Sequence, residues 1–292
     1  MNDVRLSAYC MHCLVKGQLD KMPNEADEQT KARYMKMVLN TVGNCEPWET
    51  APVIHSKLIE IQREIFNNNL SYQEEKKVFN DLMLKEEKKI KSVIEKAKDP
   101  VNMAIRYARV GNYIDFAALN DVTEEQLLKL LSRAETSELN KEEYDNFLND
   151  MGNAKSLVIL ADNNGEIVLD KIMVEEIKKA YPNIHITVIV RGYPVINDVT
   201  KDDAIYVGMD KVAEIVENGT SIAGTALELI NDEAKNRIMN ADVILSKGQG
   251  NFETLNKCGL NVYYVFLCKC QWFVNQFGMK KLEGVFVNDK RL

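Results

Sequence analysis

The side chains best suited to chemistry stand between positions 162 and 269: Asp162-Asn163-Asn164-Gly165-Glu166, Asp198, Lys247-Gly248-Gln249-Gly250-Asn251 and Lys269. Asp162, Asn163 and Asp198 offer hard oxygen ligands, which suit Mg²⁺ or Mn²⁺ better than zinc. A cation of that kind keeps part of its water shell and is completed by substrate phosphate. Gly165 allows a tight turn, and a helix starting beside it would present free N–H groups to an anion. Lys247 and Lys269 would hold phosphate oxygens as point charges. An isolated Asp-Asn pair is ordinarily a helix cap. The metal and phosphate reading rests on its convergence with Asp198 and both lysines.

Other chemistries fit less well. The chain has neither a G-x-G-x-x-G after its first apolar run nor a G-x-x-x-x-G-K-[ST]. Gly248-Gln249-Gly250 is a weak signal, since an ordinary turn explains it equally. His12, His55 and His185 stand in no triad or H-E-x-x-H pattern, which speaks against a zinc hydrolase or a histidine nucleophile. Cys10-Met11-His12-Cys13 could be half of a zinc site or a redox pair, with Cys268 and Cys270 as further thiolates. On a helix, however, the two cysteines share one face, and cysteine packs as a small apolar residue. A packing role is the favoured reading.

The elements that must position these residues change character near Met151-Gly152-Asn153. Residues 1–150 carry helical periodicity, as in Leu58, Ile59, Ile61, Ile65, Phe66 and in Ile90, Val93, Ile94, Ala97. Thr123-Glu124-Glu125-Gln126 reads as a capping box opening another helix. Residues 151–292 instead alternate amphipathic helices with short apolar runs: Leu157–Ala161, Ile184–Val190, Ala204–Val207, Thr220–Ala223, Val243–Leu245 and Val262–Leu267. That alternation predicts an α/β fold, a Rossmann-like three-layer αβα domain with a mainly parallel sheet, preceded by an all-helical N-terminal region packed on it. Ligands of such a sheet bind beyond the carboxyl ends of its strands, where the candidate residues fall.

Composition narrows the partners. With 46% hydrophobic and 28% charged residues the chain is globular rather than disordered. A net charge of −7 argues against a nucleic-acid backbone as the main partner. No apolar run approaches the roughly 18 residues of a membrane span, and the opening residues lack the apolar core of a signal peptide. The expectation is a cytoplasmic protein, with no nucleic-acid or membrane partner, whose six cysteines are reduced or bind metal.

Together these residues resemble the metal-dependent damage-control phosphatases, a family long classed as a domain of unknown function and also named after a proposed protein carboxyl methyltransferase activity. The likeness is carried by Cys10-x-x-Cys13, Arg106 with Gly111-Asn112-x-Ile114-Asp115, Asp162-Asn163-x-Gly165-Glu166, Pro194-x-x-Asn197-Asp198-x-Thr200, Lys247-Gly248-x-Gly250-Asn251-Phe252-Glu253 and Lys269-Cys270. It covers nearly the whole chain and looks most like the stand-alone prokaryotic type. The resemblance implies hydrolysis of small phosphorylated metabolites, such as sugar phosphates or related damaged metabolites. It implies a divalent metal (Mn²⁺, Mg²⁺, Co²⁺ or Ni²⁺) held by Asp162, Asn163 and Asp198, with phosphate contacts from Asn251 and Lys269.

Asn164, Gly165, Glu166, Lys247, Gly250, Asn112 and Asp115 complete the expected substrate and phosphate site. Asn164 departs from the family, where alanine is common, and its amide is expected to point away from the metal or to line the pocket. Gly111-Asn112 reads equally well as a helix terminus. The expected catalytic groups are Asp162, Asp198 and Lys269, with metal-activated water favoured as nucleophile over an aspartate. Two other readings stay open. One is a carboxyl methyltransferase, against which the missing glycine-rich first loop counts; the other is a non-catalytic metal- or ligand-binding module.

Overall fold

Alternate residues along the central strands feed two different cores, and that period of two sets the layers. The structure, a computed structural model, describes residues 5–67, 72–113, 129 and 131–292. Strands β1 (Ser156–Leu160), β2 (His185–Val190), β3 (Glu214–Glu217), β4 (Val243–Lys247), β5 (Val262–Leu267) and β6 (Gly284–Asn288) form a six-stranded sheet in the order β3-β2-β1-β4-β5-β6. The first five strands are parallel and β6 closes one edge antiparallel to β5. Leu157, Ile159, Val188, Leu245 and Val265 face one core, while Val158, Leu160, Ile189, Ile244 and Phe266 face the other. The expected three-layer, mainly parallel architecture is what the chain adopts.

The helices are α1 (Ala8–Leu19), α2 (Glu28–Gly43), α3 (Ala51–Phe66), α4 (Gln73–Glu95), α5 (Pro100–Gly111), α6 (Lys141–Asn153), α7 (Glu166–Ala180), α8 (Lys201–Tyr206), α9 (Asp232–Met239), α10 (Gln249–Leu255) and α11 (Gln271–Phe277). Helices α4 to α7 cover the first core through Met83, Ile94, Ile105, Phe147, Met151 and Ile172. Helices α9 to α11 cover the second through Ala234, Ile238, Phe252 and Phe273. Helices α1 to α3 gather a smaller core around Leu14, Tyr34, Val38, Ile54 and Leu58. Helix α5 lies hard against α7: a Cβ on Gly111 would stand 2.7 Å from Leu169 Cδ1. Glycine there lets the end of α5 deliver Asn112 to the strand ends.

Two expected strands are not strands. Residues 204–207 fall at the end of α8, which begins with a capping box: the Thr200 N–H and Oγ donate to Asp203 Oδ2 at 2.9 and 2.8 Å. Four residues of one helical turn mimic a short apolar run. Residues 220–223 are irregular and are organised by Asn218, whose Oδ1 accepts from the N–H groups of Gly192 (3.1 Å) and Thr220 (2.9 Å). The true third strand is β3, flanked by two glutamates and therefore muted in the pattern; β6 was likewise not expected. The start of the helix expected from Thr123 lies outside the described residues; residues 131–134, in its continuation, are helical.

Candidate active site

The segment 195–200 returns to lie along the ends of β1 and β2 as an extra rung. Asn164 N–H donates to Asn197 O, Val199 N–H to Asp162 O and Arg191 N–H to Val199 O, each at 2.9 Å. These bonds create an antiparallel bridge between Asn163 and Asp198. Backbone pairing thus carries Asp198 to Asp162. Lys76 of α4 fastens the same loop, donating to Asp198 O at 2.7 Å and to Asp203 Oδ2 at 3.2 Å. The loop is strained at Ile196, where φ is 41°, a conformation that costs a β-branched residue of order 1–3 kcal/mol.

Asp162 and Asp198 share one buried arginine. Arg191 Nε donates to Asp198 Oδ2 at 2.7 Å, and its Nη2 stands 3.9 Å from Asp162 Oδ1. The same guanidinium reaches Asn251 Oδ1 at 3.3 Å and Thr225 Oγ1 at 3.4 Å. Asp162 Oδ2 accepts from Asn163 Nδ2 (2.6 Å) and Asn112 Nδ2 (2.8 Å). Both amides also donate to Glu166 Oε2, each at 3.2 Å. Asn112 is the C-cap of α5, as the helix-terminus reading has it, and it also reaches Asp162 while accepting from Leu267 N–H at 3.2 Å.

Behind this pair lies a buried charge cluster. Lys247 Nζ donates to Glu166 Oε1 (2.5 Å), Asp170 Oδ1 (2.7 Å) and Ala108 O (3.0 Å). Its three donors are all engaged, so in this geometry Lys247 braces Glu166 rather than reaching an anion beyond the strands. Burial alone would depress its pKa; the carboxylates of Asp170 and Glu166 outweigh that and hold it above the usual lysine range. Burial pushes Asp170 up to about 7, with Lys247 opposing and Glu166 adding to the rise. Asp170 Oδ2 accepts no hydrogen bond from a described residue.

The remaining candidates are placed with equal definition. Asn251 Nδ2 donates to the carbonyls of Lys247 (2.7 Å) and Ala161 (3.1 Å), tying β4 to the end of β1, while its Oδ1 accepts from Thr225 Oγ1 at 2.8 Å. Asn164 turns away from Asp162: its Nδ2 donates to Asn197 O at 2.9 Å and its Oδ1 accepts from Asn80 at 2.8 Å. Gly165, at φ 79°, makes the tight turn, but its N–H is already held by Asn80 Oδ1 at 2.6 Å. Gly248, also at φ 79°, lies where a Cβ would run into the Asp162 carboxylate, and a Cβ on Gly250 would meet the Ala223 carbonyl. Lys269 is buried just past the end of β5, at the same sheet edge. Asp115 lies outside the described residues.

Arg191, Asn80 and Asp170 are the parts that the sequence reading did not single out. Arg191 stands directly after the apolar run of β2, so the strand-end rule that selects Asp162 would have found it. Asp170 sits one helical turn after Glu166, and two acids at i,i+4 enclosing Ile167-Val168-Leu169 were a signal.

The donor set suits a hard divalent cation. Asp162 and Asp198 supply carboxylates and Asn163 an amide, with no thiolate or imidazole among them. At the pair itself two carboxylates, Asp162 and Asp198, share the one guanidinium of Arg191. Among the described residues no group of three or more His, Cys, Asp or Glu side chains is arranged to hold a metal. An ion at Asp162 and Asp198 would therefore depend on Asn163 and on water or substrate oxygens. Of the cysteine pair, Cys10 is half-buried and receives a contact from Ser7 Oγ at 3.1 Å; burial, with Glu253 adding, pushes its thiol up to about 12. Cys13 is exposed and does not take the expected packed position.

A family model of the damage-control phosphatase ARMT1-like domain matches residues 6–285. Damage-control phosphatase PH1575 of Pyrococcus horikoshii is 27% identical over 96% of this chain and 97% of its own length. A damage-control phosphatase of Archaeoglobus fulgidus is 31% identical over 65% of each chain. Protein MJ0202 of Methanocaldococcus jannaschii, described as uncharacterized, is 29% identical over 97% of this chain and 95% of its own. The crystal structure of the DUF89 family protein of P. horikoshii superposes with a TM-score of 0.77 at 24% identity, over 97% of this chain and 98% of that one. That structural likeness speaks for the fold.

Proposed function

The chain belongs to the damage-control phosphatase ARMT1-like domain family, and from that premise we propose that it is a metal-dependent phosphomonoesterase acting on small phosphorylated metabolites. The family and its named relatives support a phosphatase role. The observation that carries the finer reading is the pairing of Asp162 with Asp198 around Arg191, two buried carboxylates to one guanidinium at the strand ends.

On this reading Asp162, Asn163 and Asp198 would hold Mg²⁺, Mn²⁺, Co²⁺ or Ni²⁺. Such an ion, when bound, neutralises phosphate charge and acidifies water. The chain's own groups do the rest. Arg191 fixes one oxygen of Asp198, and Asn112 and Asn163 fix one oxygen of Asp162. Lys269 stabilises the charge that spreads over the phosphoryl oxygens. Lys247, Glu166 and Asn251 hold these groups in register. Among the described residues no helix is long and apolar enough to cross a membrane; a cytoplasmic location is part of the proposal.

The test is a hydrolysis screen of p-nitrophenyl phosphate and a panel of sugar phosphates with exhaustively chelated protein, repeated after adding each metal. Turnover should be absent after chelation and return with at least one ion. Undiminished turnover of the chelated protein overturns the metal assignment, and no turnover of any phosphate under any condition overturns the phosphatase assignment.

A further inference from the structure

A cavity of about 620 Å³ lies on the other side of the loop that carries Asp198. One wall is Pro194, Val195 and Ile196 of that loop; the opposite wall is α3 and α4, with Ile59 and Tyr72 as its apolar lining. The volume suits a metabolite of sugar-phosphate size. None of Asp162, Asn163, Asp198 or Lys269 lines it, yet it touches the same framework. Asn80 faces the cavity while holding Asn164 and Gly165, and Lys76 faces it while holding Asp198 O.

The charges around this cavity do not balance internally. Lys21 is half-buried, and its Nζ stands 3.0 Å from His55 Nε2 with no carboxylate partner among the described residues. Burial accordingly pulls its pKa down. Arg63 lines the same space and has no ion-pair partner among the described residues. The other charges are accounted for: Lys76 pairs with Asp203 and Lys77 with Asp81, leaving exposed Asp202 as the acid on this wall. A half-enclosed lysine bonded to an imidazole rather than to an acid is costly to hold charged, and an entering anion removes that cost.

We propose that this cavity is an anion-binding site for a small phosphorylated metabolite, with Lys21 and Arg63 as its charge partners and the Asp198 loop as its far wall. The bound phosphate either belongs to the substrate, as an anionic end remote from the bond being cleaved, or to a separate small molecule. The site's existence does not depend on catalysis; only its meaning for turnover rests on the phosphatase reading.

The experiment is calorimetric titration of the full chain, held in chelator, with inorganic pyrophosphate. Titration is repeated on Lys21→Met and Arg63→Ala, with circular dichroism to confirm folding. Arg63 is an exposed helix residue, so its variant keeps the test decisive should Lys21→Met fail to fold. Wild type should bind, and removing either cation should weaken binding roughly tenfold or more, the scale of a charged hydrogen bond. Binding that is absent, or unchanged in the folded variants, overturns the proposal.

A second arm assigns the source, comparing KM for a hexose bisphosphate and for p-nitrophenyl phosphate in metal-loaded protein. A KM raised only for the bisphosphate places the anion on the substrate; unchanged KM values with lost pyrophosphate binding place it on a separate molecule. Both outcomes sustain the site. Loss of all turnover in wild type would refute the phosphatase reading while leaving the binding result to stand.

Discussion

Asp170 allows the buried charge cluster to be tested by pH alone. Its carboxyl is fully enclosed beside Lys247 and Glu166, and burial lifts it from 3.8 in the unfolded chain to about 7. A carboxyl whose folded pKa lies above its unfolded value holds its proton more tightly in the folded state. Its stabilising contribution is complete below about pH 3.8, declines through the window up to about 7, and is gone above it. The slope inside that window is about 1.4 kcal/mol per pH unit, flattening as Asp170 begins to ionise, so between pH 5 and pH 7 the change is about 2 kcal/mol.

Asp170→Asn keeps the shape and removes the titration. The stability of the variant relative to wild type should therefore rise by about 2 kcal/mol between pH 5 and pH 7, whatever its offset at pH 5. Thermal and urea unfolding of both proteins in chelator, at pH 5, 6, 7 and 8, measure that difference. Groups remote from Asp170 cancel in it, so the difference reports the Asp170–Glu166–Lys247 cluster. A difference that stays flat across this range would refute the reasoning, because Asp170 would then ionise as an ordinary carboxylate.

Four substitutions probe the site itself. Arg191→Met leaves Asp162 and Asp198 facing each other without their shared cation, which should cost about 3–5 kcal/mol in chelated protein; melting with and without Mg²⁺ should show the divalent ion recovering part of that loss. Gly248→Ala drives a Cβ into the Asp162 carboxylate at a positive φ, so activity should be lost along with stability of order 1–3 kcal/mol, read by the same melts and assays. Asp198→Asn should lower metal affinity, with activity partly recovered at high metal. Lys269→Ala should lower kcat by roughly 10²–10³ with no recovery from added metal; steady-state kinetics at rising Mn²⁺ separate the two, and a fully active Lys269→Ala protein would show that the phosphate site lies elsewhere.

How legible each residue was depended on whether its role is local. Asp162 and Asn163 follow an apolar run directly, and a strand end in a parallel sheet is a local property that periodicity exposes. Asp198 was found as an acid near the end of β2. What places it against Asp162, the rung formed by Asn163 and Asp198, is a long-range backbone pairing that no local pattern records. Lys247 shows the limit most clearly. A lysine closing a strand reads the same whether it meets a phosphate or, as here, the carboxylates of Glu166 and Asp170. Residues 204–207 and β3 fail for a different reason: both are too short for period two and period 3.6 to be told apart, and the glutamates of β3 hide its buried Val216.

The unequal grip of Arg191 on the two aspartates bears on how a cation would be admitted. Its Nε donates to Asp198 Oδ2 at 2.7 Å, a firm charge-assisted bond, whereas Asp162 Oδ1 lies 3.9 Å from the guanidinium. Asp162 is held instead through its other oxygen by two neutral amides. Of the Asp162 oxygens, Oδ2 is the one held by the two amides and Oδ1 the one that Arg191 approaches only at 3.9 Å. Asp162 and Asp198 could hold a divalent ion, which would neutralise phosphate charge, with the short Arg191–Asp198 bond still orienting Asp198. Arg191 is the counter-charge that the two aspartates share in this structure. The glycine at 248 is required because any side chain there would occupy the space beside the Asp162 carboxylate.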